Sequence, residues 1–189
     1  MALAEDRLSI RLVLDTNLAD PAQDPPEMVA LRALDVEGWI QLWRTDAMDT
    51  ELASSADPDK RTRLLGHSAQ LPEQLGVMVL GHSRLGSCVA GSDADSAMWD
   101  RVWDTIHPGK DRATARENDV KDALHVWTAM RYGSDGFVTM DGSGPGKGLL
   151  DRAGAVKVEF DGFNIWSPAQ ALAYVERRKH RHQFRVAGT

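Results

Sequence analysis

Along this chain short apolar runs alternate with segments whose apolar residues recur every three or four positions, the pattern of strands interleaved with amphipathic helices. Ser9-Ile-Arg-Leu-Val-Leu14 is a β-favouring run that ends in Asp15-Thr16-Asn17. It predicts a buried strand whose carboxyl end delivers an aspartate. A proline-rich loop over Pro21 to Pro26 leads into a helical pattern with Met28, Leu31, Leu34 and Val36 on one face, closed by Gly38. Trp39-Ile-Gln-Leu-Trp43 predicts a second strand, and a helix start with several candidate caps follows from Thr45. Asp57-Pro58-Asp59 marks a turn into a charged, mixed stretch that reaches Gln74. Gly76-Val-Met-Val-Leu80 then predicts a short strand, and residues 81–92 a loop rich in Gly and Ser.

From Asp93 to Ile106 an amphipathic helix is predicted, with Met98, Val102 and Ile106 on one side and Trp99 and Trp103 beside them. Tryptophans four apart read as packing surface, of the core or of an interface. A helix from Glu117 through Tyr132 carries Val120, Ala123, Leu124 and Trp127 inward and stops at Gly133. Gly136-Phe-Val-Thr-Met140 predicts a strand ending in Asp141, Val156-Lys-Val-Glu-Phe160 another strand, and Ser167-Pro168 the start of a final helix. The alternation predicts an α/β fold: a single three-layer α/β/α domain over residues 1–176 with a central, mainly parallel sheet. It contains an extended middle segment at 57–116, and a basic C-terminal tail follows over 177–189.

Composition narrows the class. At 189 residues, 42% hydrophobic and 26% charged, the chain is long enough for one sizeable core and reads as an ordered soluble protein. No run approaches the roughly 18 apolar residues of a membrane span, so no membrane partner is expected. The polar N-terminal residues predict no secretory signal. The single cysteine, Cys88, excludes an internal disulfide framework and predicts a cytoplasmic location. A net charge of −6 argues against a broadly basic nucleic-acid-binding surface. Four acids gathered around cations would account for four of those six charges, however, and a local basic strip would survive.

Candidate chemistry lies at the carboxyl edge of the sheet, where open parallel sheets bind ligands. Two predicted strands end there in Asp15 and Asp141, Asp122 lies in the first turns of the helix preceding the second of them, and Glu51 opens the helix after Trp43. Each acid alone has a bland reading as a turn former, a cap, a favourable charge on a helix dipole or a solvated helix residue. Together, four acids at one edge repel one another unless cations neutralise them, and hard divalent ions such as Mg²⁺ or Mn²⁺ take oxygen ligands. Asp46 and Asp49 sit within one turn of Glu51 and compete with it, and Asp119 stands one turn before Asp122. His125 faces either the core or the cleft.

At these residues the chain resembles the PIN-domain family. Asp15-Thr16-Asn17 after a hydrophobic strand resembles its first motif, Thr50-Glu51-Leu52 its second, Asp122-Ala-Leu-His-Val-Trp-Thr-Ala129 its third and Phe137-Val-Thr-Met-Asp141 its fourth. Phe163-Asn-Ile-Trp-Ser-Pro168 is similar to the usual ending of the family, and the likeness spans residues 9–55 and 117–176. The resemblance implies a PIN-like fold and metal-dependent hydrolysis of phosphodiester bonds, usually in RNA, as in the toxin components of bacterial toxin–antitoxin pairs. Asp15, Glu51, Asp122 and Asp141 would then be the catalytic, metal-holding set, with Asp119 and Asp49 as further candidates. Asn17 and Thr139 would be polar supports. A binding module that keeps the fold without turnover is the alternative.

Gly142-Ser-Gly-Pro-Gly-Lys-Gly148 lacks the P-loop pattern and reads as a flexible rim, with Lys147 placed to meet a phosphate. The six histidines form no His-Glu-x-x-His motif. Residues 177–185 carry five fixed positive charges. Arg177, Arg178, Lys179 and Arg181 among them would attract RNA or dock an acidic partner such as an antitoxin, against the alternative of a solvated terminus. A homodimer built on the tryptophans is also open.

Overall fold

In the computed structural model, which describes residues 10–79, 83, 88–142 and 148–187, strand β1 (Ile10–Leu14) is the central strand. Every residue in it except Arg11 is buried. Side chains alternate between the two faces of a strand, so β1 can be hidden this way only if helices cover both faces. Four parallel neighbours complete the sheet in the order β3-β2-β1-β4-β5, with β2 at Ile40–Thr45, β3 at Glu73–Gln74, β4 at Gly136–Val138 and β5 at Asn164–Trp166.

Among the described residues seven α-helices flank it: α1 (Pro26–Val36), α2 (Asp46–Ala53), α3 (Pro58–Ser68), α4 (Asp93–Ile106), α5 (Glu117–Arg131), α6 (Leu149–Glu159) and α7 (Pro168–Ala187). On one face Leu12, Leu14 and Val138 pack with Met28 of α1, Met48 and Leu52 of α2, Leu64 of α3 and Val175 of α7. On the other Val13, Phe137 and Ile165 pack with Trp103 of α4, Trp127 of α5 and Val156 of α6. The result is the three-layer α/β/α arrangement with an all-parallel sheet. Trp99 lies with ring centroids 6.1 Å from Trp103 and 5.3 Å from Trp127, so the tryptophans serve helix packing.

The strand order reverses between β1 and β4. The helix that follows β1 packs on one face and the helix that follows β4 on the other. The two connections therefore diverge and leave a crevice beyond the carboxyl ends of these strands.

The structure corrects several sequence expectations. Val156 to Phe160 was expected as a strand, but Leu149–Glu159 is helical, with Val156 buried and Val158 86% exposed. A strand would put both valines on one face, whereas two positions along a helix are nearly opposite. The final strand is instead Asn164–Trp166. The charged stretch after Asp57 is helix α3, started by Pro58 and capped by Asp57, which accepts from the amides of Asp59 and Lys60 at 3.0 Å. Few of its residues are buried, so it has little apolar periodicity to read. The third strand is Glu73–Gln74, earlier than expected, while Val77 makes an isolated bridge to Val89 and Leu80 lies outside the described residues. Val36, expected on the buried face of α1, is 88% exposed. The basic segment from Arg177 continues α7 as helix to Ala187. Among the described residues, no helix is long and apolar enough to cross a membrane.

Gly136 begins β4 where a Cβ would stand 2.5 Å from Cζ3 of Trp166 and 3.0 Å from the carbonyl oxygen of Asn164. Gly136→Ala should therefore lose about 1–3 kcal/mol of stability through overpacking. Urea unfolding checks this, and an unmoved midpoint would refute the packing argument.

Candidate active site

The site grows from strand register. Leu14 pairs with Val138, so the residues that follow, Asp15 and Thr139, come side by side. Thr139 Oγ1 donates to Asp15 Oδ2 at 2.5 Å, Asn17 Nδ2 donates to the same oxygen at 2.7 Å, and the Thr16 amide donates to Oδ1 at 2.7 Å. The Asp15 carboxylate is thus fixed in a nearly buried position. Thr139 Oγ1 also accepts from the Asp141 amide at 2.8 Å, so one hydroxyl connects the two strand-end acids. Asn17 Oδ1 accepts from the Met140 amide at 3.2 Å. Asn17 and Thr139 therefore stand as supports to Asp15.

Asp141 is held by the start of α6, its Oδ2 accepting from the Leu149 amide at 2.8 Å. A Cβ on Gly148 would lie 2.6 Å from the Asp141 carboxylate, so a glycine is required for that approach. The glycine-rich rim between them, with Lys147, lies outside the described residues.

Glu51 reaches the crevice from α2. It accepts a hydrogen bond from the Thr16 hydroxyl and another from His125 Nε2 at 3.2 Å. His125 stands one turn after Asp122 on α5 and therefore shares its face. The imidazole is fully buried, stacked on Phe137 with centroids 5.6 Å apart, and its Nδ1 meets Thr45 Oγ1 at 2.6 Å. One potential ligand atom from each of Asp15, Glu51 and His125 lies within 4.8 Å of the others. Asp122 and Asp141 line the same cleft, a space of about 850 Å³.

Electrostatics follow from this crowding. Burial, then the charges of Asp15, Asp141 and Glu51, push the Asp122 carboxyl up to about 7, with His125 opposing. Burial likewise raises Asp15, against the pull of His125 and Thr139. For Glu51 burial is outweighed by the bonds from His125 and Thr16, and its carboxyl falls below the ordinary value. His125 responds in kind: burial disfavours its charge, but Glu51, Asp15 and Asp122 overcome that and raise it. The donor set, carboxylate oxygens with one imidazole nitrogen and an excess of negative charge, fits a hard or borderline divalent cation.

The other acids near the motifs are engaged elsewhere. Asp49 pairs with Arg44 and accepts from Ser68 Oγ at 2.7 Å, and Asp46 accepts from the Gly76 amide at 2.9 Å. Neither lines the cleft. Asp119 does line it, but Lys110 at 2.8 Å and Arg116 at 3.1 Å hold its carboxylate, which is depressed well below the usual range because those partners outweigh burial. Arg177, Arg178, Lys179 and Arg181 lie on α7 and are not among the cleft residues; Lys179 packs over Trp39 at 4.6 Å.

Sequence reasoning missed the cations of the cleft: Lys60, Lys110, Arg116, Lys121 and Arg152. They come from α3, the turn after α4, both sides of the α5 start, and α6, so no local motif gathers them. It also left His125 undecided, although its spacing from Asp122 was the available signal.

No protein-family model matches the chain, and no curated protein matches it. Among solved structures, that of VapBC2 from Rickettsia felis bound to a DNA fragment from their promoter is similar over 84% of this chain and 98% of that chain, with 10% sequence identity and a TM-score of 0.46. At this distance it transfers no residue role, ligand or partner.

The charge crowding has a pH signature in the cation-free protein. Folded Asp122 keeps its proton to about pH 7, against an ordinary value of 3.8. Between those limits the folded state binds more protons, so stability falls as pH rises through the window. Asp15 and His125, both raised, act in the same direction, while depressed Glu51 acts oppositely at the acid end. Thermal unfolding in chelator should show a midpoint several degrees lower at about pH 8 than at about pH 5, and Asp122→Asn should flatten that drop. An identical slope in the variant would contradict the assignment.

Proposed function

We propose that this protein is a cytoplasmic, divalent-cation-dependent ribonuclease of the PIN type, hydrolysing phosphodiester bonds of RNA. The observation that carries the reading is the convergence of Asp15, Glu51, Asp122 and Asp141 from four separate elements on one cleft at the β1–β4 crevice. These are the acids that the four PIN-like motifs single out, in order.

In this reading Asp15, Glu51, Asp122 and Asp141 hold Mg²⁺ or Mn²⁺, which supplies Lewis acidity for in-line attack on phosphorus. Thr139, Asn17 and Thr16 fix the orientation of Asp15. Glu51, kept ionised by His125 and Thr16, orients the attacking water. The walls of the cleft bind the substrate. Lys110 and Arg116 are two cations sharing one acid, Asp119, and Lys60 and Arg152 make no ion pair among the described residues. Positive charge that its neighbours leave unneutralised attracts a phosphodiester backbone. By the same family resemblance an antitoxin protein would be the partner in the cell.

Cleavage of a mixed RNA pool with Mn²⁺ tests the reading. Asp15→Asn and Asp122→Asn should each reduce the rate by roughly a hundredfold or more, the scale on which removing one stabilising group from a preorganised site acts. Equal activity in wild type and both variants would assign the cleavage to a contaminant.

Substrate placement is tested separately, by fluorescence anisotropy of single-stranded RNA on the Asp122→Asn background. Lys60→Ala and Arg152→Ala should each weaken binding and reduce the salt slope by about 0.7 for the lost contact, while Arg178→Ala and Arg181→Ala leave both unchanged. The reverse pattern would move the phosphate path from the cleft to α7.

A further inference from the structure

The imidazole of His125 is a polar group at a position of α5 that is otherwise core. Val126, Trp127 and Ala129 beside it are buried and apolar, and His125 itself is fully buried. Phe137 stacks on one face of its ring and Thr45 meets Nδ1 at 2.6 Å. The ring plane is therefore set from behind, and Nε2 is the edge presented to the acids. It stands 3.2 Å from Glu51 Oε2 and 3.3 Å from Thr16 Oγ1. A ring fixed through its second nitrogen is the usual arrangement for a metal-ligating histidine.

We propose that His125 Nε2 is a direct ligand of the catalytic cation, beside Asp15 and Glu51, and that this nitrogen makes the site prefer Mn²⁺ over Mg²⁺; the inference rests on the nuclease reading above. Neighbouring donors about an octahedral ion with bonds of about 2.1 Å stand about 3.0 Å apart, close to the 3.2 Å between Nε2 and Oε2. For ligation the Nε2 proton leaves to solvent, and the ring keeps its proton on Nδ1, donated to Thr45 Oγ1. Mg²⁺ favours oxygen ligands and retains its waters, whereas imidazole suits transition ions. A purely carboxylate site would separate the two cations less.

The test reads binding, not turnover. Calorimetry on the wild-type chain should give Mn²⁺ affinity at least about tenfold above that for Mg²⁺, and His125→Gln should bring the two within a few-fold of each other. Pulsed EPR of bound Mn²⁺ should show nitrogen coupling that shifts on ¹⁵N-histidine labelling, disappears in His125→Gln and persists in His107→Gln, a variant of the histidine that lines the cleft wall. Should His125→Gln fail to fold, Thr45→Ala keeps the ligand but frees Nδ1; weaker Mn²⁺ binding with nitrogen coupling retained would support the proposal. Mn²⁺ bound without nitrogen coupling would overturn it and leave the nuclease reading standing. If neither cation bound the wild-type chain, both would fall together.

Discussion

The interaction on which the site depends is the retention of a carboxylate, Asp15, at the end of the central strand. Taking an ion out of water costs several kcal/mol unless partners replace the lost hydration. Here the replacement comes from Thr139, Asn17 and the Thr16 amide. Bonds to a charged acceptor each return about 1.5–3 kcal/mol, so three of them are the right order to hold the group in place. All three donors lie within three residues of a strand end. The same register that pairs β1 with β4 therefore also assembles the acid's support, and fold and site cannot be varied independently at this point.

Further acids then crowd the same crevice, and one buried imidazole, that of His125, stands among them. His125 lies under Glu51 and near Asp15, where burial alone would make it neutral, and the surrounding carboxylates reverse that preference. Glu51 becomes easier to ionise and Asp122 harder, because Asp122 has no comparable hydrogen-bonding partner among the described residues and feels three other acids. One helix thus carries the acid that most needs a counter-charge and the base that supplies part of it, one turn apart.

What was legible in the sequence was what local chemistry encodes. A β-favouring run ending in Asp-Thr-Asn has few readings other than a buried strand delivering an acid, and helices with strong apolar periodicity, such as α4 and α5, lie where the pattern placed them. The failures share a cause. Val-Lys-Val-Glu-Phe alternates well enough to imitate a strand, and only packing of Val156 under the sheet, with Val158 in solvent, decides for a helix. The choice among Asp46, Asp49 and Glu51 was open because all three sit within about two turns of α2. In the fold Asp46 is engaged by Gly76, and Asp49 by Arg44 and Ser68, away from the cleft. The bonds from Ser68 and Gly76 span 19 and 30 residues and leave no mark on local pattern.

The net charge shows the same limit from the other side. A total of −6 weighs against nucleic-acid binding only if charge is spread evenly, and interactions beyond about 10 Å are largely screened at physiological salt. Within the cleft the balance is different: the acids come from the ends of β1 and β4 and from α2 and α5, while Lys60, Lys110, Arg116, Lys121 and Arg152 line the same space. Lys60 and Lys110 belong to the 57–116 segment, the part whose sequence offered no motif. Its helices α3 and α4 pack on opposite faces of the sheet, so that segment contributes positive charge to the cleft from both sides of the crevice. A chain can therefore be acidic overall and still gather basic and acidic side chains in near balance within one cleft.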